Sequence, residues 1–173
     1  MISFASDYIA GAHSVIMQRL LETNMENLSG YGTDQYCAQA KEKIKQAFQC
    51  PDGEVFFLVG GTQTNQVIIS TMLAPYEGVI AAKTGHVSVH EAGAIEYSGH
   101  KVIELEEKDG KLAAEDIKKC IEDFYSDDNH EHMVYPGMVY ISFPTEYGTL
   151  YSKQELTEIS NCLLYTSPSP RDS

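Results

Sequence analysis

Two glycines and a threonine, Gly60, Gly61 and Thr62, form the junction between the apolar residues 56–59 and the polar residues 63–66, in FFLVGGTQTNQ. Glycine lets a backbone approach a ligand closely, and the first amide groups of a helix are unpaired and lie at the positive end of its dipole. Such a turn suits a phosphate, to which the Thr62 hydroxyl could add a donor. A tight strand-to-helix connection that binds nothing has the same sequence, so both interpretations stay open.

A histidine occupies the equivalent place in the next turn. His86 follows Gly85 at the start of residues 85–94, GHVSVHEAGA. It could lie flat over an aromatic ring or merely cap a helix at the surface, and we expect His90 to face solvent or a neighbouring helix. The chain contains neither GxxxxGK[ST] nor GxGxxG, which excludes a P-loop and a dinucleotide fingerprint. A small phosphorylated cofactor remains.

The elements that must position these residues alternate along the chain. Hydrophobic periodicity predicts two helices at 13–23 and 34–50, followed by alternating strands and helices. This order predicts an α/β fold, a mostly parallel sheet with helices on both faces, in which ligands bind beyond the carboxyl ends of the strands. The predicted strands are 54–59, 79–83, 101–105 and 138–143, and the later helices are 62–73, 87–97, 113–124 and 153–159.

Composition narrows the function classes. The net charge of −13 over 173 residues argues against a nucleic-acid partner, which needs clustered basic residues. No signal peptide or long apolar run is present, so we expect a cytoplasmic protein without a membrane partner. The four cysteines suggest free thiols, and the HEH sequence at 130–132 lacks a further spaced ligand, so no metal site is predicted.

Several motifs together resemble a known family. In order and spacing, YGTD at 31–34, GGTQTNQ at 60–66 and GHVSVHEAGA at 85–94 resemble the N-terminal half of the low-specificity threonine aldolase and aromatic amino-acid β-eliminating lyase family. Residues 5–13 and 142–151 are similar to further family segments. The resemblance covers residues 3–160 and implies a large domain of the aspartate-aminotransferase fold, also called fold-type I, with pyridoxal 5′-phosphate as cofactor.

The resemblance also implies an activity and residue roles. It implies a lyase that acts on a small amino acid, by aldol cleavage of L-threonine or a related β-hydroxy amino acid to glycine and an aldehyde, in a homo-oligomer at full length. His86 would stack on the pyridine ring and assist the proton step of the cleavage. The cofactor phosphate would be held by Gly60, Gly61 and Thr62, and the substrate side of the site would include Ser6, Asp7 and Tyr31.

One departure from the family pattern leaves alternatives open. Aldolases carry an ENTH-like motif where this chain has FPTE at 143–146, which weakens the assignment to threonine. A β-eliminating lyase, an aminotransferase or a cysteine-desulfurase-like enzyme of the same fold remains possible. A non-catalytic α/β module that binds a phosphorylated small molecule is the alternative from another class.

The end of the sequence suggests a fragment. Residues 162–173, which begin CLLYTSPSPRD, resemble a translated sequencing adaptor, so we expect them to be non-native. The remaining chain then divides into an N-terminal arm and helix at 1–30 and an incomplete cofactor-binding large domain at 31–161. The family's Schiff-base lysine and the aspartate facing the pyridine nitrogen would follow residue 160. We therefore expect this chain alone to be inactive, with one sheet edge unpaired.

Overall fold

The computed structural model describes residues 9–166, which divide into one compact unit that ends at Phe57 and another that begins at Leu58. The divisions predicted at residues 30 and 161 stay predictions. Ser6 and Asp7 lie outside the described residues, as do residues 167–173 of the predicted non-native tail. No helix in the described part of the chain is both long and apolar enough to cross a membrane.

The first unit contains the two predicted amphipathic helices. Helix α1 spans Ser14–Thr23, and α2 spans Gln35–Ala47. Asp34 is the N-cap of α2, as the sequence predicts, and its Oδ1 accepts hydrogen bonds from the backbone amides of Tyr36 at 2.8 Å and Cys37 at 2.9 Å. The cap satisfies two amides that lack a partner inside the helix.

The second unit is the predicted alternation of strands and helices. Three strands are present in its described residues, and each is followed by helical structure. The elements in chain order are α3 (Gly61–Met72), β1 (Glu77–Ala82), α4 (His86–Val89), α5 (Ala94–Tyr97), β2 (Val102–Leu105), α6 (Ala114–Ser126), a 3-10 turn (His130–His132), β3 (Tyr135–Val139) and α7 (Lys153–Thr166).

The strands form one parallel sheet, in the order β2-β1-β3. Ile80 of β1 is in register with Ile103 of β2 and with Val139 of β3. Because the three strands are parallel, their carboxyl ends lie at the same end of the sheet. The residues that follow β1 and β3 therefore emerge together there, as predicted for a ligand site.

Helices cover both faces of this sheet, which confirms the predicted α/β class. Successive residues of a strand point to opposite faces, and Val79 and Ile80 of β1 accordingly belong to different cores. Val79 packs with α3, α4 and α5 residues such as Ile69, whereas Ile80 packs with α6 and α7 residues such as Ile117. Parallel sheets require this two-sided cover.

Some predicted elements are wrong. Residues 54–59 form no strand, and Val59 is 92% exposed, because no neighbouring strand pairs with this run in the described chain. The helix predicted at 87–97 is two short helical turns, α4 and α5, separated where Ala92 and Gly93 adopt φ values of 51° and 74°. β3 spans Tyr135–Val139, so it begins and ends earlier than the strand predicted at 138–143, and α7 continues past its predicted end.

Candidate active site

The N-terminus of α3 is open. Its N-cap is Gly60, and no side chain caps the helix. The Gln63 side chain turns back to accept a hydrogen bond from the backbone amide of Val59 at 3.0 Å, and the Thr64 hydroxyl donates to the Gly60 carbonyl at 2.9 Å. The amides of the first helical turn have no acceptor within a helix, so this end can receive an anion.

The two glycines of this turn are not required by backbone conformation. Gly60 has a φ of −179°, which is extended backbone open to any residue, and Gly61 lies outside the left-handed region. A Cβ added at either position would meet none of the described atoms within 4 Å. Neither position therefore needs glycine for its own folding. What glycine provides is a bare backbone that a ligand can approach closely.

The turn after β1 is tighter. The Gly85 amide donates to the Ala82 carbonyl at 2.7 Å, and a Cβ on Gly85 would lie 2.9 Å from that same oxygen. Glycine is therefore needed for this close approach. The Ser88 hydroxyl also donates to the Ala82 carbonyl, at 3.0 Å. These contacts place His86 immediately beyond the end of the central strand.

The His86 side chain is partly exposed, and each of its two ring nitrogens lies near a glutamate side chain. Its backbone amide donates to the Ser142 hydroxyl at 3.2 Å, which joins the turns after β1 and β3. Its imidazole Nδ1 lies 3.0 Å from Glu146 Oε1, and Nε2 lies 3.7 Å from Glu91 Oε1. With 44% of the side chain exposed, His86 is held and still accessible.

Glu91 links the two candidate turns. Its side chain is fully buried, and its Oε1 accepts a hydrogen bond of 2.7 Å from the Asn65 side chain, in the early part of α3. Within the described part of the chain, its Oε2 has no hydrogen-bond partner. Burial raises the pKa of the nearby Tyr140 hydroxyl, against hydrogen bonds with Ser142 and Asn65. The N-terminal part of α3 and His86 therefore belong to one polar cluster.

Sequence reasoning found some members of this cluster and missed others. His90, expected to face solvent or a neighbouring helix, has a side chain that is 56% exposed, and it also borders the cluster: its Nε2 lies 3.4 Å from Glu146 Oε2 and its ring centroid is 5.3 Å from that of His86. Asn65, Glu91 and Glu146 were not predicted as site residues. The signal for Glu146 was its place in the FPTE departure. Asn65 and Glu91 each lie inside a quoted motif, but only the fold shows that they meet.

The roles predicted for the remaining site residues stay predictions. Ser6 and Asp7 lie outside the described residues. Tyr31 lies in the first unit, where it is fully exposed with a φ of 60°. Across residues 9–166, no group of histidine, cysteine and acidic side chains is arranged to hold a metal ion.

Comparison with known proteins identifies the family. The model of the beta-eliminating lyase family matches residues 3–163. The chain belongs to this beta-eliminating lyase family. Low specificity L-threonine aldolases from Pseudomonas aeruginosa and Pseudomonas sp. are 33% identical over 159 residues and 32% identical over 162. A structure of Leishmania major threonine aldolase is similar, with 45% identity and a TM-score of 0.86 over 92% of this chain. The chain spans 44% of each curated relative and 45% of that structure's chain.

Enzymes of the beta-eliminating lyase family depend on pyridoxal phosphate, and the cluster fits that cofactor. The uncapped end of α3 provides amides for a phosphate, and the bare backbone at Gly60 and Gly61 leaves room for it. The exposed part of the His86 imidazole provides a flat aromatic surface. Asn65 and Glu91 connect these two features through the hydrogen bond between them and the 3.7 Å approach of Glu91 Oε1 to His86 Nε2.

Proposed function

We propose that the protein to which this chain belongs is a pyridoxal-phosphate-dependent lyase that cleaves L-threonine or a related β-hydroxy amino acid to glycine and an aldehyde. The observation that carries this proposal is the joining of an open helix N-terminus to a partly exposed histidine, by way of Asn65 and Glu91, in a chain of the beta-eliminating lyase family. The relatives named as threonine aldolases support the choice of substrate.

The first task of the site is to anchor the cofactor phosphate. The free amides at the start of α3 would donate hydrogen bonds to it, the helix dipole would favour its negative charge, and the Thr62 hydroxyl would add a donor. Because Gly60 and Gly61 carry no side chain, the phosphate could reach the backbone directly. These contacts would hold one end of the cofactor.

The second task is to hold the cofactor ring. His86 would stack on the pyridine ring, while its Nδ1 contacts Glu146 and its amide is hydrogen-bonded to Ser142. When bound, pyridoxal phosphate supplies the electron sink for cleavage of the Cα–Cβ bond. His86 Nε2, which lies on the Glu91 side of the imidazole, is the atom at which this chain could hold or move a proton during cleavage.

The activity requires more than this chain in our proposal. The chain spans less than half the length of its relatives, and the Schiff-base lysine expected from the resemblance is assigned to the part that follows residue 160. The chain would therefore contribute the phosphate-binding turn at Gly60, Gly61 and Thr62 and the ring-stacking His86 to a longer enzyme, which we expect to be a homo-oligomer. By itself it should bind the cofactor's phosphate and ring but not turn over substrate.

The test is an aldehyde assay on the longer protein. With pyridoxal phosphate and L-threonine, we expect acetaldehyde and glycine in equal amounts, measured by coupling acetaldehyde to alcohol dehydrogenase and NADH. The 173-residue chain, assayed in parallel, should give none. Release of pyruvate from a β-substituted alanine, or amino transfer to a keto acid, without aldehyde formation would replace this proposal with an elimination or transamination. Phosphate-ester binding with no reaction of any amino acid would favour a non-catalytic module.

A further inference from the structure

The His86 imidazole lies between two carboxylates. Glu146 Oε1 approaches Nδ1 at 3.0 Å, and Glu91 Oε1 approaches Nε2 at 3.7 Å. The two nitrogens are on different edges of the five-membered ring, so contacts to both restrict rotation about the bond that joins the ring to Cβ. Neither contact needs to cover the faces of the ring. This arrangement suits a residue that must present one face of its ring to another ring.

Glu146 is itself held in place. It follows the buried Thr145 in a turn closed by hydrogen bonds from the Gly148 amide to the Thr145 carbonyl at 2.8 Å and from the Thr145 amide to the Thr149 carbonyl at 3.0 Å. The Thr149 hydroxyl donates to the Asp109 carbonyl at 2.6 Å, which ties the turn to the segment after β2. Glu146 can therefore fix a neighbour, since its own backbone is anchored.

Glu91 is anchored from the other side of the cluster. Its buried carboxyl group accepts the Asn65 hydrogen bond through Oε1, and within the described residues Oε2 has no hydrogen-bond partner. A buried polar group is costly unless hydrogen bonds satisfy it, so the bond from Asn65 helps to hold this side chain in place. The same Oε1 lies 3.7 Å from His86 Nε2, so the oxygen that Asn65 holds is the one that approaches the imidazole.

We propose that Glu91 and Glu146 are positioning residues that hold the His86 imidazole by its two nitrogens, so that it presents one fixed face to the cofactor ring. Glu146 also contacts His90 through its second oxygen, at 3.4 Å, which limits its own freedom. The purpose given to the fixed face, which is to stack on the cofactor, rests on the proposed function. The arrangement of Glu91 and Glu146 around the His86 imidazole, called the clamp below, can be tested without any ligand.

The first test reads the imidazole directly. Long-range ¹H–¹⁵N spectra of the ¹⁵N-histidine-labelled 173-residue chain resolve Nδ1 and Nε2 of each histidine. Substituting Glu146→Ala should shift the His86 Nδ1 signal most, and Glu91→Gln should shift Nε2 most. Glu146→Gln, which keeps an acceptor oxygen, should restore much of the Nδ1 signal. Glu96→Gln, an exposed change on the following helical turn, is the matched control and should leave both signals in place.

The second test measures ligand affinity. The probes are 4-deoxypyridoxine 5′-phosphate, which has the ring and the phosphate but no aldehyde, and inorganic phosphate. If a bound ring requires an ordered imidazole, the Glu91→Gln/Glu146→Ala variant should bind the ring probe roughly three- to tenfold more weakly, the cost of ordering one side chain on binding. Its affinity for inorganic phosphate should be unchanged, because the α3 amides are untouched.

The outcomes separate the two proposals. Unchanged His86 signals in all the glutamate variants would overturn the clamp, whatever the ligand results. Shifted signals with an equal loss of affinity for both probes would also overturn it as a ring-positioning device. If the unsubstituted chain binds neither probe, the cofactor part of the proposed function fails, while the signals still decide the geometry. Because Glu91 is buried, the variants of the partly exposed Glu146 provide the test should Glu91→Gln fail to fold.

Discussion

Two apolar runs precede the two turns of the candidate site, and they behave differently. Residues 54–59 and Glu77–Ala82 are similar in length and composition, and both lead into a turn with glycine. Only the second is a strand. Val79 in β1 is fully buried between β2 and β3, whereas Val59 is 92% exposed. Strand-like sequence therefore gives a strand here only where neighbours supply hydrogen bonds.

The turns that follow differ in the same way. The turn after β1 is packed tightly, and His86 has partners for its amide and for each ring nitrogen within 4 Å. Among the described residues, no side chain caps the start of α3, and a Cβ on Gly60 or Gly61 would meet no atom within 4 Å. The turn after β1 is already held by contacts within this chain, whereas the start of α3 has free amides that a ligand could satisfy. In our proposal the turn after β1 holds the cofactor ring and the start of α3 holds the phosphate.

The largest expected effect tests the two apolar runs with one substitution. Val79→Ala should lower the free energy of unfolding by roughly 2 to 3 kcal/mol, through lost apolar burial and the cavity it leaves. Val59→Ala, the same chemical change at an exposed site, should stay within about 0.5 kcal/mol. Urea denaturation monitored by circular dichroism measures both. Equal losses would show that residues 54–59 are buried in solution and would break the comparison.

The next effect tests the link between the two turns. Asn65→Ala removes the hydrogen bond to Glu91 and leaves a buried carboxylate without it, which should cost about 1 to 2 kcal/mol in unfolding free energy. Gln66→Ala, one residue along the same helix, serves as the control and should change stability by about 0.5 kcal/mol or less. The two variants are compared by urea denaturation at neutral pH. Similar stability for both would mean that Asn65 does not support Glu91.

A third effect tests the open turn by filling it. Gly61→Val adds a side chain whose Cβ would meet no described atom within 4 Å, so folding should be little affected, but it would occupy the approach to the α3 amides. We expect affinity for 4-deoxypyridoxine 5′-phosphate to fall at least about tenfold, or ~1.4 kcal/mol. Gly30→Val, also free of neighbours within 4 Å, is the matched control. Undiminished binding by the Gly61 variant would place the phosphate elsewhere.

The smallest expected effect is on the pH dependence of stability, through Glu155 in α7. A hydrogen bond from Lys111, with further ones from Ser152, lowers the pKa of Glu155 to about 2 from its ordinary 4.5. A lowered pKa in the folded state adds stability that is present above pH 4.5 and is lost as the pH falls through about 2.

The matching variant is Glu155→Gln. It should be less stable than the unsubstituted chain at neutral pH, with a difference that shrinks below pH 4.5 and is lost near pH 2. Glu158→Gln, at a residue paired with Gln154, is the control. Thermal unfolding at several pH values gives the comparison. A difference that is independent of pH would show that the pairing with Lys111 is not its source.

The sequence predicted most of the second unit because its signals are local. Amphipathic spacing located α3 and α6, and alternation of elements required a parallel sheet with two covered faces. The predicted strand at 54–59 was wrong because strand formation depends on a neighbour, which local sequence does not specify. The break at Ala92 and Gly93 was missed because apolar spacing continues across it.

The site was predictable in its isolated motifs and unpredictable in its contacts. The Gly60 to Thr62 turn and His86 follow from what helix termini and imidazoles can do. The pairing of His86 with Glu146 joins residues 60 positions apart, and that of Asn65 with Glu91 joins residues 26 apart. Such contacts depend on which side chains the turns bring together beyond the carboxyl ends of the strands. The spacing of residues along the sequence does not specify these pairs.

The most direct measurement follows both turns during one titration. In ¹H–¹⁵N spectra of the 173-residue chain, 4-deoxypyridoxine 5′-phosphate should shift the amides of residues 61–63 and the His86 ring signals with a single common dissociation constant. Inorganic phosphate should shift the amides and leave the His86 ring in place. Shifts in only one of the two turns with the ring probe, or in neither, would contradict the claim that they form one cofactor site.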